Sequence, residues 1–285
     1  MDKFVFESGA EFPYILSRQN ARVSAAASLS EKKFRETHGA FLCEGIKLTE
    51  EALKFGSVRE VFVRESSSAS MESIALFARG RGAQVTVLSD HAFDKISSEK
   101  SPQGIIAVAE TRHFNDDPTA ISSDKTVLLL DSVRDPGNLG TILRSACALG
   151  NVCTVLYSCA DVYNPKTVRA AMGAIFKSDI FTATDIRGFL EKLKSGRLPE
   201  GQSGGQPEGR RIIAALPSGD SLVLGKYSPQ RGDCLVIGNE GHGISDEVTE
   251  IATDTVMIPM GENTESLNAA VAASVILWEY FRAFQ

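Results

Sequence analysis

The sequence predicts an α/β protein with two domains, the second of which is built on a parallel sheet. Short apolar runs alternate with helical patterns over residues 17–110, as in a small α/β sandwich. Residues 113–125 are polar and have no periodicity, which is typical of a linker. Residues 126–130 then form a continuous apolar run of the kind found in buried parallel strands. We therefore predict a first domain at 1–112 and a second at 126–285.

The first domain is predicted to alternate short helices and strands. A basic helix comes first, followed by a strand, an amphipathic helix, a second strand, a Ser-rich loop, a helix closed by glycine and two strands. In chain order these elements cover residues 29–35, 41–43, 45–54, 58–63, 66–70, 74–82, 85–88 and 105–109. No nucleophile is paired with a base in this region, so its candidate chemistry is binding.

The charge of the chain is divided unevenly between its two parts. The net charge is −6, but the first 112 residues carry equal numbers of basic and acidic side chains, so the whole deficit lies in the rest. A polyanion should therefore be bound first by the N-terminal part. For each basic residue there, an ordinary solvated position is the alternative to a phosphate contact. The candidate phosphate ligands are Arg18, Arg22, Lys32, Lys33 and Arg35.

The second domain continues from its first strand into a helix that ends at Gly150. Asn138 is a good N-cap for this helix. Its apolar stripe consists of Leu139, Ile142, Leu143, Ala146 and Leu149. Arg144 lies off that stripe among small residues, so a ligand or another backbone can approach its guanidinium closely. A plain surface arginine is the alternative.

A second helix start in this domain indicates an anion site. A strand at 151–157 precedes Asn164 and Pro165, a cap followed by proline at the first helical position. Lys166 and Arg169 occupy the first two turns, where acidic residues are usually preferred. An anion docked on the free N–H groups of the helix start would account for both cations.

A glycine-rich loop follows the strand predicted at 234–237. Gly238, Gly241 and Gly243 leave main-chain groups uncovered, as a ligand pressing on the backbone requires. Glu240 lies among them, where a structural turn needs no carboxylate. The alternative is a set of ordinary turn glycines.

The last loop opens a long apolar helix, predicted from Leu267 to about residue 281. Ser266 and Asn268 stand at its mouth, either as the wall of a site or as a helix cap. Further upstream, the composition of residues 195–211 predicts a mobile loop. The strands predicted around these loops are 212–215, 234–237 and 256–258.

The bulk composition favours a folded cytoplasmic protein without a metal. With 285 residues, 43% of them hydrophobic, the chain has ample length for a core. Five cysteines without a C-x-x-C pair and four scattered histidines favour reduced thiols over disulfides or a zinc site. The acidic N-terminus does not resemble a signal peptide, and the longest apolar stretch is too short for a membrane span.

Three C-terminal motifs together resemble one family. They are D-P-G-N-L-G-T-I-L-R, V-I-G-N-E-G-H-G-I-S and I-P-M-G-E-N-T-E-S-L-N-A-A-V-A, with Y-N-P-K-T-V-R-A-A-M-G-A-I-F between the first two. In order and spacing they are similar to the SpoU (TrmH-like) RNA ribose 2′-O-methyltransferases of the SPOUT class. Dinucleotide and P-loop motifs are absent. The N-terminal part, with K-K-F-R-E-T-H-G-A-F-L-C-E-G, resembles the ribosomal-protein-like RNA-binding domain that many members carry.

The resemblance implies a fold, a methyl donor and an assembly. The second domain should be a parallel-sheet α/β trefoil knot, one of the rare exceptions to unknotted topology. S-adenosylmethionine should be held in the knot by main-chain groups, and two chains should form a homodimer with the site near their interface. The implied cofactor-binding residues are Gly238, Asn239, Gly241, Ile258, Met260 and Leu267.

The implied reaction is an in-line attack of a ribose 2′-hydroxyl on the sulfonium methyl, without a metal. The implied catalytic residues are Arg144, Asn138, Glu240, Ser266 and Asn268. Because arginine stays charged, Arg144 should stabilise the developing alkoxide rather than accept its proton. We expect Glu240 to pair with Arg144.

A separate RNA-binding domain favours ribosomal RNA as the substrate. The alternatives are transfer RNA, methylation of a base, or a non-catalytic RNA-binding member of the same fold. Lys166 and Arg169 complete the predicted RNA-binding set.

Overall fold

The computed structural model describes residues 2–196, 209–216, 221–262 and 266–285. The chain divides into two compact units, the first comprising Met1–Arg112 and Tyr163–Phe176, and the second His113–Val162 and Lys177–Gln285. The glycine-rich insert at 201–209, which belongs to the loop predicted to be mobile, lies outside the described residues except for Gly209.

The first unit is built around a mixed sheet. Its strands are β1 (Lys3–Val5), β2 (Glu11–Ile15), β3 (Ala40–Glu44), β4 (Val58–Arg64), β5 (Gln84–Leu88) and β6 (Ile105–Glu110). Its helices up to Arg112 are α1 (Ala21–Ser28), α2 (Lys32–His38), α3 (Ile46–Phe55), α4 (Ser68–Gly80) and α5 (Asp90–Phe93). The strand order is β1-β2-β5-β4-β6-β3, in which β2, β5 and β4 run parallel and the other described pairs are antiparallel.

The N-terminal elements of this unit differ from the sequence prediction. Strands β1 and β2 and helix α1 precede the first predicted element. The helix predicted at 29–35 spans the junction between α1 and α2, because Leu29 is drawn into the core and ends α1 there. Helix α2 then starts afresh at Lys32, behind its N-cap Glu31.

The second unit contains the parallel sheet. Its strands are β7 (Thr126–Asp131), β8 (Val152–Tyr157), β9 (Asp179–Ala183), β10 (Ile212–Ala215), β11 (Leu222–Val223), β12 (Cys234–Ile237) and β13 (Asp254–Met257). The remaining helices of the chain are α6 (Pro136–Leu149), α7 (Pro165–Ala171), α8 (Ala174–Lys177), α9 (Ile186–Ser195), α10 (Asp246–Ile251) and α11 (Ala269–Ala283).

The order of this sheet is β11-β13-β10-β12-β7-β8-β9, and all of its described strand pairs are parallel. The central strand β7 is buried along its whole length, since both faces of the sheet are covered. The parallel α/β architecture predicted for the second part of the chain is therefore confirmed.

Two helix starts differ from those predicted. Asp135, not Asn138, caps α6, because its carboxylate accepts the N–H of Asn138 at 2.8 Å and Pro136 occupies the first helical position. Helix α11 starts at Ala269 rather than Leu267. Its N-cap is Asn268, whose side-chain oxygen accepts the N–H groups of Ala270 and Val271.

One segment from the middle of the sequence packs in the first unit. The ring of Tyr163 lies 4.6 Å from that of Phe41, and Phe176 stacks on Phe41 at 5.9 Å between ring centroids. The Tyr163 hydroxyl accepts the N–H of Arg112 at 2.7 Å. Residues 163–176 thus share the core of the N-terminal fold although they follow β8 in the chain.

Candidate active site

A cavity of about 450 Å³ opens at the carboxyl ends of β10, β12 and β13. This edge is where open parallel sheets place their ligands, because the loops that leave the strands converge there. The walls come from three loops and the start of α11. The lining residues are Ala215, Leu216, Ile237, Gly238, Asn239, Glu240, Gly243, Ile244, Val256, Met257, Ile258, Met260, Ser266, Leu267, Asn268, Ala269 and Ala272.

Gly238 is required by the loop after β12, because this loop folds back on itself. A β-carbon at Gly238 would lie 2.4 Å from the carbonyl carbon of Gly243 and 2.6 Å from the backbone nitrogen of Ile244. Backbone atoms cannot yield to such a contact. The loop is closed by paired hydrogen bonds between Asn239 and Gly243, at 2.7 and 3.0 Å. Gly238 therefore keeps the backbone close-packed at the cavity wall.

Asn239 joins this loop to the loop after β7. Its side-chain nitrogen donates to the carbonyl oxygen of Ser132 at 2.7 Å. Its side-chain oxygen accepts the N–H groups of Gly241 and His242 at 2.8 and 3.0 Å. Asn239 was predicted only as a cofactor contact. Its structural role depends on a residue 107 positions away, which local sequence patterns do not reveal.

Three predicted catalytic residues form a continuous polar chain. The side-chain nitrogen of Asn268 donates to the side-chain oxygen of Asn138 at 2.9 Å. The side-chain nitrogen of Asn138 donates in turn to Oε1 of Glu240 at 2.8 Å. Residues from all three motifs thus meet in one hydrogen-bonded line, with Glu240 and Asn268 at the cavity wall. Within one chain, the expected pairing of Glu240 with Arg144 is wrong, since the carboxylate accepts from Asn138 and Arg144 makes no ion pair with the described residues.

Arg144 is placed apart from that line. Its side chain is exposed on α6 and makes no hydrogen bond or ion pair with the residues that the structure describes. It is also not among the described residues that line the cavity. Helix α6 packs against α11, where the hydroxyls of Ser145 and Ser274 lie 2.8 Å apart. The guanidinium is therefore available to a group from outside the chain.

The residues predicted to bind the cofactor mostly line the cavity. Ile258, Met260 and Leu267 contribute apolar side chains, while Gly238 and Asn239 contribute backbone. Gly241 does not belong to the described lining. The volume and the combination of apolar walls with main-chain polar groups fit a ligand of the size of S-adenosylmethionine.

Asp131 is a structural residue that the sequence reasoning did not assign. It ends β7, is buried, and its Oδ2 accepts the N–H of Ser245 at 2.7 Å. The sequence feature that could have identified Asp131 is a carboxylate at the end of an apolar strand. Among the described residues, no group of histidine, cysteine, aspartate and glutamate side chains could hold a metal ion.

Two of the predicted phosphate ligands in the first unit have structural partners. Arg22 forms an ion pair with Glu60 and donates to the hydroxyl of Thr86 at 2.6 Å. Burial raises the pKa of Glu60, and Arg22 opposes that shift. Arg35 is only 4% exposed and donates to the carbonyl oxygens of Leu29 and Ser30 at 2.9 and 2.7 Å. Arg35 thus ties the end of α1 to α2.

The other predicted phosphate ligands of this unit are more accessible. Lys32 is exposed and lies 3.6 Å from Glu36 on the same helix. Lys33 is exposed and its ammonium group has no partner among the described residues, and Arg18 is half-buried. No described helix is long and apolar enough to cross a membrane.

The predicted anion site at the start of α7 has a different arrangement. Asn164 caps the helix by accepting the N–H of Lys166 at 2.9 Å. Arg169 turns to Glu99 at 3.0 Å and to the hydroxyl of Ser98 at 2.9 Å. Lys166 is exposed. The two cations therefore do not converge on the N–H groups of the helix start.

Comparison with known proteins identifies relatives for both parts of the chain. The profile of the SpoU rRNA Methylase family matches residues 125–278, and that of the MRM3-like substrate binding domain matches residues 20–107. The 23S rRNA (guanosine(2553)-2′-O)-methyltransferase RlmP of Bacillus subtilis is 32% identical over 93% of this chain and 97% of its own length. The 23S rRNA (uridine(2479)-2′-O)-methyltransferase of Streptomyces viridochromogenes is 30% identical, covering 94% and 91%.

A solved structure resembles the whole chain. The AdoMet-bound rRNA methyltransferase from Sinorhizobium meliloti superposes with a TM-score of 0.81 at 26% identity, over 96% of this chain and 99% of that one.

Proposed function

Because the chain belongs to the SpoU rRNA methylase family, we propose that it transfers a methyl group from S-adenosylmethionine to a ribose 2′-hydroxyl of ribosomal RNA. The observation that carries the proposal is the hydrogen-bonded line of Asn268, Asn138 and Glu240 beside the cavity. These side chains come from three separate motifs and meet where a cofactor-sized cavity opens. Relatives of similar length are named as 23S rRNA 2′-O-methyltransferases.

The cofactor is proposed to occupy the cavity between the loops after β12 and β13. When bound there, S-adenosylmethionine supplies a methyl group on a positively charged sulfur. Ile258, Met260 and Leu267 cover its apolar parts, while the backbone around Gly238 and Asn239 holds its polar groups. Gly241 acts indirectly, through the N–H that it donates to Asn239. The reaction is proposed to need no metal, because the leaving group is already activated.

The polar line orients the ribose and Arg144 stabilises the charge that develops on it. Asn138 and Asn268 hold one another in a fixed orientation. One oxygen of the Glu240 carboxylate accepts from Asn138. The other oxygen has no partner among the described residues, so it can accept from the substrate. Ser266 lies at the cavity wall, where its hydroxyl can contact the RNA backbone. Arg144 remains charged, so it lowers the energy of the alkoxide, and the proton passes to a phosphate oxygen or to water.

A homodimer completes the proposed site. Helix α11 exposes Val271, Val275 and Trp278 at spacings of four and three residues, which places them on one helix face. An exposed apolar stripe of this kind supports an interface between copies. The neighbouring helix α6 carries Arg144 outside its own cavity, so we propose that Arg144 serves the cavity of the second copy. The loops around this cavity are proposed to form the trefoil knot.

RNA is proposed to be bound first by the N-terminal domain, residues 1–112 together with the segment 163–176 that packs in the same unit, and modified by the rest of the domain at 126–285, with 113–125 as the connection in the chain. The separate family matches at 20–107 and 125–278 support this division. The proposed phosphate-binding set consists of Arg18, Arg22, Lys32, Lys33, Lys166 and Arg169, and the ion pairs of Arg22, Lys32 and Arg169 exchange when phosphate binds. Arg35 is left out of this set, because its guanidinium is buried against backbone carbonyls.

The five cysteines are free, which supports a cytoplasmic location.

Mapping of 2′-O-methyl positions in total RNA, with and without the gene, tests the proposed function. One ribosomal RNA position should lose its methyl group when the gene is deleted and regain it when the gene is restored. Loss of a transfer RNA methylation, or of a base methylation, would contradict the proposed substrate. An unchanged map together with RNA binding by the purified chain would indicate a non-catalytic member of the family.

A further inference from the structure

A second cavity, of about 420 Å³, lies on the other side of the loop after β12. It shares Asn239 and Gly243 with the proposed cofactor cavity, so the two are neighbours separated by one loop. Nothing in the proposed reaction uses the second cavity. Its lining residues are Asp131, Ser132, Arg134, Asn239, His242, Gly243 and Ser245.

The floor of the second cavity is held in place by hydrogen bonds. The carboxylate of Asp131 is buried and accepts both the N–H of Ser245 and the hydroxyl of Ser132. Ser132 has φ 60, a left-handed conformation that is unusual for a residue with a side chain. Its carbonyl oxygen accepts from Asn239 at 2.7 Å. The strained backbone is thus fixed from two sides, as is common at binding sites.

The rim of the cavity offers two side chains to a ligand. Arg134 and His242 are both exposed, and neither side chain has a partner among the described residues. The hydroxyl of Ser245 is buried without a hydrogen-bond partner among the described residues.

The charge around Arg134 distinguishes it from a random surface arginine. The chain beyond residue 112 carries the whole net charge of −6. The acidic residues Glu240, Asp246 and Glu247 lie within two sequence positions of residues that line the cavity. An RNA strand that approaches this cavity is therefore repelled by the nearby carboxylates and attracted by the exposed guanidinium of Arg134. Such an arrangement fixes where a phosphate can be placed.

We propose that the second cavity holds the nucleotide next to the one that is methylated. Its phosphodiester binds Arg134, whose planar guanidinium suits two phosphate oxygens, and its base stacks on the imidazole of His242. This assignment rests on the proposed function, since a ribose at the first cavity brings its neighbour to the second. Arg134 and His242 are then positioning residues that select the RNA strand.

Steady-state kinetics of the full chain test the role of Arg134. The substrate is ribosomal RNA from cells that lack the gene. Arg134→Ala should raise KM for RNA about tenfold and reduce the slope of log(kcat/KM) against log[salt] by about 1, because one phosphate contact is lost. kcat at saturating RNA and the affinity for S-adenosylmethionine should stay within about twofold of the wild type. Arg134→Lys should restore most of the salt slope, since it restores the charge.

His242 is tested separately, because a stacking contact responds differently from a charge. His242→Ala should raise KM about five- to tenfold without changing the salt slope, and His242→Phe should recover KM by restoring the stacked ring. Arg187→Ala is the matched control for lost charge, since Arg187 is an exposed arginine of the same unit paired with Glu250. It should leave KM and the salt slope unchanged.

A wild-type KM and salt slope for Arg134→Ala would overturn the proposal. The same conclusion would follow if Arg187→Ala matched its effects. If the wild-type chain bound RNA but transferred no methyl group, the proposed function would fail first. The salt dependence of RNA binding by filter retention, compared between the wild type and Arg134→Ala, would then decide whether the cavity holds a phosphate.

Discussion

In the second unit, polar side chains from three separate motifs bond to one another beside a cavity, whereas in the first unit two of the predicted phosphate ligands are held by partners within the fold. Asn268, Asn138 and Glu240 form a line at the edge of a parallel sheet, and Arg144 is left exposed. In the first unit, Arg22 is held by Glu60 and Arg35 by backbone carbonyls. A cation that is already held within the fold must break that contact before it can bind a ligand. The comparison therefore locates chemistry in the second unit and assigns the first to surface binding.

The largest expected effect is that of Arg144→Ala. Methyl transfer should fall by about 10²–10³-fold or more, because a charge aimed at the developing alkoxide is lost. Affinity for S-adenosylmethionine, measured by calorimetry, should change by less than about threefold, since Arg144 does not belong to the described lining of the cavity. Arg144→Lys separates charge from guanidinium geometry. Near-normal turnover by Arg144→Ala would remove the residue from the mechanism.

Mixed forms of the proposed homodimer sharpen this prediction. Inactive Arg144→Ala, combined with a second inactive variant that blocks the cofactor cavity, should regain about a quarter of the wild-type activity after the subunits exchange. The reason is that half of the dimers are mixed, and each of these has one intact site if Arg144 serves the partner's cavity. Absence of any recovery in demonstrably mixed dimers would place Arg144 and the cavity in the same subunit.

Gly238→Ala should weaken S-adenosylmethionine binding by at least about tenfold, because the added β-carbon would force the loop after β12 away from Gly243. Calorimetry measures the affinity, and circular dichroism shows whether the fold is kept. Gly261→Ala is the control, since a β-carbon there has no described atom within 4 Å. Equal affinities for the two variants would contradict the cavity assignment.

Substitutions at Glu240 test whether the hydrogen-bonded line of Asn268, Asn138 and Glu240 requires an acceptor oxygen or a negative charge. Glu240→Ala removes the acceptor of Asn138 and should lower kcat about tenfold or more, whereas Glu240→Gln keeps an acceptor oxygen and should stay within about threefold. Single-turnover rates at saturating cofactor and RNA give the comparison. If Glu240→Gln is as slow as Glu240→Ala, the charge itself is required, and Glu240 contacts the reacting groups.

The smallest effects are expected from the first unit. Arg35→Ala should lower the free energy of unfolding by about 1–3 kcal/mol, because the buried carbonyl group of Leu29 and the part-buried one of Ser30 lose their donor. Lys33→Ala should leave stability unchanged and reduce the salt slope of RNA binding by about 1 at most. Urea unfolding and filter binding measure the two quantities. Loss of RNA affinity in a folded Arg35→Ala variant would return Arg35 to the RNA surface.

The sequence alone predicted the elements whose cause is local. Continuous apolar runs identified β7 and β12, and the wall of the cavity was expected at Asn268, which also caps α11. The cap of α6 was misplaced because Asp135 and Asn138 are both good caps, and the proline at 136 was the signal that separates them. The capping residue and the helix start that it determines are only a few residues apart, so the predicted start of α6 is displaced by only a few residues.

The sequence pattern does not predict contacts between residues that are far apart along the chain. The pair of Asn138 and Glu240 spans 102 residues, and nothing local distinguishes it from the expected pair with Arg144. The same holds for Arg35, which belongs to the same short basic helix as the exposed Lys33 but turns into the junction between α1 and α2. Burial of a long basic side chain is decided by the tertiary fold.

The most direct measurement of the central claim is methyl transfer by the purified chain with deuterated S-adenosylmethionine and unmodified ribosomal RNA. Digestion to nucleosides and mass spectrometry should find the label on one ribose, with no label above background for Arg144→Ala. Label on a base would contradict ribose methylation. Equal labelling by the wild type and Arg144→Ala would contradict the proposed site.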